Sequence, residues 1–152
     1  MSIHARIAEL GITLPEPAKP VASYVSYVRT GNQVLISGQL SNDANGGIKG
    51  TVGVDVTPEQ AAEAAQLDDA DHAIQVAVDG GVDLGQQVDA AQAGGFVQAG
   101  PDFEAIPGVI NGCSDLMVQV FGDAGKHSRS AVGVYKLPLG FAVEVDAIIE
   151  VK

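Results

Sequence analysis

The sequence predicts an α+β fold, a β-sheet with two helices packed on one of its faces. Three observations carry this. Val143, Val145, Ala147, Ile149 and Val151 alternate with Glu144, Asp146, Ile148 and Glu150, the period of a strand with one buried face. Ile110, Cys113, Met117, Val120 and Phe121 recur at helical spacing. Groups of strand patterns separated by helical ones give the order β-β-β-α-β-α-β-β, which places both helices on one side of the sheet.

The elements follow in order. Met1–Leu10 reads as a short helix or turn, and GITLPEPAKP, with three prolines in ten residues, as an extended surface connection. In YVSYVRTGNQVLISGQL, the β-formers Tyr24, Val25, Tyr27 and Val28 precede the turn residues Thr30-Gly31-Asn32. A second strand resumes at Gln33–Gln39, and a third is expected at Ile48–Val54 after the turn cluster SNDANGG. Thr57-Pro58-Glu59-Gln60 is a helix start, with Thr57 as cap, Pro58 at the first helical position and Gln60 reaching back. That helix is expected to run to about Val78 on a face of Leu67, Ala70, Ile74, Ala77 and Val78, and to stop at Gly80-Gly81. A strand is expected at Val88–Val97, then the second helix, ended by Gly122 or Gly125. Leu137-Pro138-Leu139-Gly140 is expected to turn a hairpin between the last two strands.

The 152 residues suit one domain, taken as 1–152 with residues 1–20 as an N-terminal extension. One cysteine excludes an internal disulfide, and MSIHARIAEL lacks the continuous apolar run of a secretion signal. The expectation is therefore a cytoplasmic protein without a membrane span. The net charge of −11 is unevenly spread: no lysine or arginine lies between Lys49 and Lys126, a stretch with 13 of the 19 acids. Such a balance repels phosphate backbones, so nucleic acid is not an expected partner.

Most catalytic signatures are missing. His4, His72 and His127 are scattered without paired metal-ligand spacing, and neither phosphate-binding glycine motif occurs. No metal or cofactor is expected. Cys113 falls on the apolar stripe of a helix and reads as a buried structural thiol. Ser37 in ISGQL lacks the surrounding glycines of a hydrolase elbow. One region stands out. Arg129, one of three arginines, is aligned by strand parity with the small residues Ala131 and Gly133, which leave room beside its head group. A guanidinium offers a rigid donor fork that matches a carboxylate. Glu144 and Asp146 lie on the opposite strand face from Val143 and Val145, where an acid is paired or functional. Spacing leaves two readings open, a structural ion pair and a small-anion site.

SRSAVGVYKLPLGFAVEVDAIIEV resembles the C-terminal signature of the YjgF/RidA (Rid, endoribonuclease L-PSP) superfamily: an arginine, a strand, Leu-Pro, a turn, then an acid-hydrophobic-acid strand. SYVSYVRTGNQVLISGQL and PDFEAIPGVINGCSDLMVQVFG resemble its other motifs, and IHARIAELGITLPEP points to the longer YjgF-like subgroup. The likeness covers Ile3–Val56 and Asp102–Val151. It is weakest over residues 67–100, where LDDADHAIQVAVDGG and VDAAQAGGFVQAG stand in place of a more apolar helix and a more basic strand. The resemblance implies a chorismate-mutase-like mixed sheet assembled as a trimeric barrel, with clefts between subunits. It further implies that Arg129 binds a substrate carboxylate, that Tyr24, Ser37, Gly38 and Asn111 line the cleft, and that Glu144 positions water. The implied reaction is hydrolysis of reactive 2-imino acids to 2-oxo acids and ammonia. The cysteine that often follows the arginine by two residues is Ala131 here. A non-catalytic carboxylate-binding or chaperone-like trimer is the alternative, and the ribonuclease in the family label conflicts with the charge.

Overall fold

The computed structural model describes residues 3–15, 22–66, 71–79 and 88–151. Its elements are α1 (Ile3–Glu9), β1 (Tyr27–Thr30), β2 (Gln33–Leu40), α2 (Pro58–Ala64), α3 (Asp71–Asp79), β3 (Val88–Gln98), α4 (Ile106–Phe121), β4 (Ser128–Val134) and β5 (Val143–Val151). The five strands form one mixed sheet in the order β1-β2-β5-β3-β4. All neighbours are antiparallel except β3 and β4, which run parallel.

Local chemistry accounts for much of this. Gly31, at φ 57°, turns β1 into β2, so that Thr30 pairs with Gln33 across a two-residue loop. Thr57 accepts from the Gln60 N–H at 3.1 Å while the Gln60 side chain accepts from the Thr57 N–H at 3.0 Å, closing the expected capping box of α2. Gly122, at φ 64°, ends α4 as expected.

Packing follows from the two periodicities. Val143, Val145, Ala147, Ile149 and Val151 of β5 are buried, as are Ile110, Cys113, Met117 and Val120 of α4. α4 lies over β3 and β4, α3 lies over β2 and β5, and α2 packs on α4. Ile74, Ile110, Leu116, Met117 and Ile149 are fully buried, each stabilising by roughly 1.5–3 kcal/mol. The helices thus cover one face of the sheet.

Three expectations change. The third strand at Ile48–Val54 is reduced to isolated bridges, Lys49 to Phe141 and Val52 to Val56 and Ala99. Gly50 at φ 129° and Gly53 at φ 84° bend the backbone where a ladder needs extended residues. The helix expected from Thr57 to Val78 is described as α2 and α3, while Leu67, Ala70 and the stop at Gly80-Gly81 lie outside the described residues.

The third correction is topological. β4 and β5 do not form a hairpin, because β3 lies between them. β3-α4-β4 is a parallel crossover with α4 on the covered face, and β5 pairs antiparallel with the other side of β3. The connection through Leu137–Gly140 therefore passes the end of β3, about 10 Å across two strand spacings. Gln98, 2% exposed at the end of β3, fastens it. Its carboxamide accepts from the Leu137 N–H at 2.9 Å and donates to the Gly50 carbonyl at 2.9 Å.

Candidate functional site

Strand register decides which residues can meet. Arg129 pairs with Ala93, which pairs with Ala147, and both alanines are buried beneath the helices. Arg129 therefore rises on the helix side of β4, an edge strand. Glu144 pairs with Phe96, and Asp146 with Gly94, on the uncovered face. The arginine and the two acids stand on opposite faces of one sheet.

α4 takes up the arginine. Asn111 and Ser114, three residues apart, share one side of the helix. Arg129 Nη1 donates to Asn111 Oδ1 at 2.8 Å and to Ser114 Oγ at 3.1 Å. Both Nη1 hydrogens are thereby used. The remaining donors, Nε–H and the two on Nη2, have no partner among the described residues, and they form the side-on fork that fits a carboxylate. Arg6 pairs with Glu9 and Lys126 with Asp123, and no described acid pairs with Arg129. Within one copy Arg129 forms no ion pair with Glu144 or Asp146, and neutral oxygens orient the guanidinium.

The other half lies on the uncovered face. β2 carries a bulge between Ile36 and Gln39, with Ser37 and Gly38 opposite Asp146. Ser37 donates its hydroxyl to the Val25 carbonyl at 2.7 Å and its N–H to the Ser26 carbonyl at 2.9 Å. These bonds tie the bulge to the segment that follows Tyr24, itself 55% exposed. The Glu144 carboxylate lies against Gly38, where a methyl group would collide with it. Asp146 lies in the same way against Gly94 and accepts from its N–H. The two glycines flank β5 and form seats for the two acids.

Neither acid has a cationic partner among the described residues. Burial, then the nearby Asp146 charge, push the Glu144 carboxyl above the usual carboxylate range. Burial also raises Asp146, opposed in part by the Gly94 hydrogen bond. A raised carboxyl takes up a proton more readily than a free one.

The expected residues therefore fall into two groups. Arg129 and Asn111 meet at β4, with Asn111 spending its oxygen on the arginine. Ser37, Gly38 and Glu144 meet on the uncovered face beside the Tyr24 segment. β2 and β4 are three strand spacings apart, about 14 Å, and the groups lie on opposite faces. One copy does not join them. Cys113 is buried in the core, as its helical spacing indicated. No group of three or more His, Cys, Asp or Glu among the described residues is placed to hold a metal ion, and no helix there is long and apolar enough to cross a membrane.

The reading from sequence missed Ser114 and His127. Ser114 Oγ lies 3.1 Å from His127 Nε2, and His127 Nδ1 lies 2.6 Å from the Gly125 carbonyl. The available signal was His-x-Arg, two residues of one strand parity, with Asn-x-x-Ser on the helix above.

The model of the family described as Endoribonuclease L-PSP matches residues 15–151. The chain belongs to this family, also called YjgF/RidA. Protein TCP17 of Trypanosoma cruzi is 41% identical over 155 residues, covering 97% of this chain and 93% of that one. The crystal structure of Atu1372, a protein of unknown function from Agrobacterium tumefaciens, matches with TM-score 0.88 at 38% identity over 99% of this chain and 92% of its own. A solved Shewanella oneidensis structure matches with TM-score 0.93 at 26% identity over 99% of both chains. The L-PSP fold thus extends over nearly the whole sequence.

Proposed function

We propose that this protein hydrolyses reactive 2-imino acids, and the enamines that tautomerise to them, releasing a 2-oxo acid and ammonia. The observation that carries this reading is Arg129, a guanidinium fixed by two neutral oxygens with its side-on edge unpartnered among the described residues. That edge grips the substrate carboxylate. Water adds to the carbon of the protonated imine while the C=N π pair moves to nitrogen, and Glu144 accepts the proton of the attacking water. The resulting carbinolamine takes that proton back on nitrogen and expels ammonia as the C=O bond forms, its hydroxyl proton passing to Glu144. An imine is already electrophilic, so orientation and proton transfer are enough.

The two groups of residues are completed by neighbouring copies. We propose a homotrimer, with Arg129 and Asn111 of one copy facing the Tyr24, Ser37 and Gly38 region of the next. The uncovered face supports association, since Val28, Leu35 and Val132 there are 54%, 38% and 44% exposed. Activity on RNA is not favoured, because the charge of −11 repels it.

The test is a coupled assay in which a dehydratase generates 2-iminopropanoate, run with the wild type and Arg129→Ala. Acceleration that disappears in the variant supports the proposal. Equal acceleration by both overturns it. Carboxylate binding that depends on Arg129 without any acceleration would make the protein a binding module instead.

A further inference from the structure

Arg129, Ser114, His127 and the Gly125 carbonyl form a continuous hydrogen-bonded chain that carbonyl, imidazole and hydroxyl chemistry allows to run in one sense. A carbonyl only accepts, so the 2.6 Å contact places the proton on His127 Nδ1. In the neutral ring Nε2 then accepts, so the Ser114 hydroxyl donates to it across 3.1 Å. The Ser114 oxygen lone pairs are thereby turned toward Arg129, which donates across 3.1 Å. Each member fixes the orientation of the next. The far end is anchored in backbone: Gly125 is buried and closes the 3-10 turn that follows α4.

We propose that Ser114 and His127 are positioning residues for Arg129. Through them, the turn after α4 sets the rotation of the guanidinium and keeps its Nε–Nη2 edge turned outward for a carboxylate. Without Ser114 the Nη1 group has one partner, Asn111, and the head group pivots about that bond. Without His127 the Ser114 hydroxyl loses its acceptor and turns freely, presenting its hydrogen to Arg129 in part of its orientations. The charged groups facing this chain are few. Arg129 comes from β4, while Asp123 and Lys126, from the turn and its end, pair with each other at 2.8 Å and are largely exposed. Asp115, next to Ser114 on α4, is exposed.

The inference rests on Arg129 being the carboxylate anchor, and its test separates it from the proposed reaction. Nuclear magnetic resonance of the whole protein reads two things directly: the tautomer of His127, and whether the Arg129 side-chain N–H signals are resolved by slow rotation. The expected wild-type result is protonated Nδ1 and resolved arginine signals. Ser114→Ala and His127→Ala should average those signals and weaken binding of pyruvate, the carboxylate probe, about tenfold. Ser114→Thr should restore both, and His127→Gln should restore them in part by offering an acceptor near the position of Nε2. If the imine reaction is observed, the loss in Ser114→Ala should appear mainly in KM. Should the protein accelerate no imine hydrolysis, the resonances and the pyruvate titration still decide the matter. Arginine signals and pyruvate affinity unchanged in both alanine variants would overturn the inference, as would a wild-type ring protonated on Nε2 alone.

Discussion

The surroundings of Arg129 and of Glu144 are opposite solutions to one problem. Both hold a charge that no described side chain of opposite sign neutralises. The arginine is at a strand edge, on the helix side, and is steered by side-chain oxygens from α4. The acid is in mid-sheet on the bare side, seated against glycine and beside a second acid that raises its proton affinity further. The difference teaches how division of labour is built. Fixing a cation needs donors satisfied at one end only, so that the other stays available. Raising the proton affinity of a carboxyl needs burial and a like charge, with no cation close by. Placing the two on opposite faces prevents them from closing on each other within one copy.

The largest expected effect tests the arginine half. Arg129→Ala should reduce imine hydrolysis by on the order of 10³-fold or to the uncatalysed rate, with the thermal midpoint near that of the wild type, because the head group is exposed. Arg129→Lys should recover little, since an ammonium lacks the planar fork. Next comes the acid half. Glu144→Gln should lower kcat by about 10²-fold or more with KM little changed, measured by steady-state kinetics. A variant that instead raised KM alone would show that both halves bind and neither transfers protons.

Smaller effects probe the glycine seats. Gly94→Ala should destabilise by about 1–3 kcal/mol in urea denaturation, because a methyl group there collides with the Asp146 carboxylate. Pairing it with Asp146→Ala should recover most of that loss, a coupling read from a double-mutant cycle. The smallest effect is the pH dependence of the acids. Their carboxyls are raised in the folded protein, so their neutral forms favour folding. That contribution is complete below the ordinary carboxylate range and is lost as pH rises through the raised values. Relative to the wild type, the variant with both Glu144→Gln and Asp146→Asn should gain stability progressively from acidic to neutral pH. Melting curves at several pH values check the sign.

How much the sequence disclosed depended on how local the signal was. The alternation along β5, the stripe on α4, the capping box at Thr57 and the turn at Gly31 are written in neighbouring residues, and the structure follows each. The supposed hairpin through Leu137–Gly140 failed because turn residues report that the chain bends, not which strand it meets afterwards. The insertion of β3 is decided by α4, more than twenty residues upstream of β5. The site divides in the same way. Arg129 and Glu144 stood out by chemistry and parity. Their separation onto two faces needed the register of β3 and β4, and Ser114 with His127 needed α4 laid over β4. Spacing did point correctly to the face occupied by the acids.

The central position of β5 has a consequence for how the protein is made. It is the last of the five strands in chain order, yet β2 and β3 both pair with it. While the ribosome is still adding the residues before Val143, those two strands are present with their inner edges bare. The sheet then consists of two separate pieces, β1-β2 and β3-β4, with no strand pairing between them. Bare edges invite pairing with other chains. The nascent protein therefore passes through a stage that favours aggregation and ends only when Val143–Val151 emerges and slots between the two pieces. A pause in translation shortly before that strand should lower soluble yield more than the same pause placed inside α4.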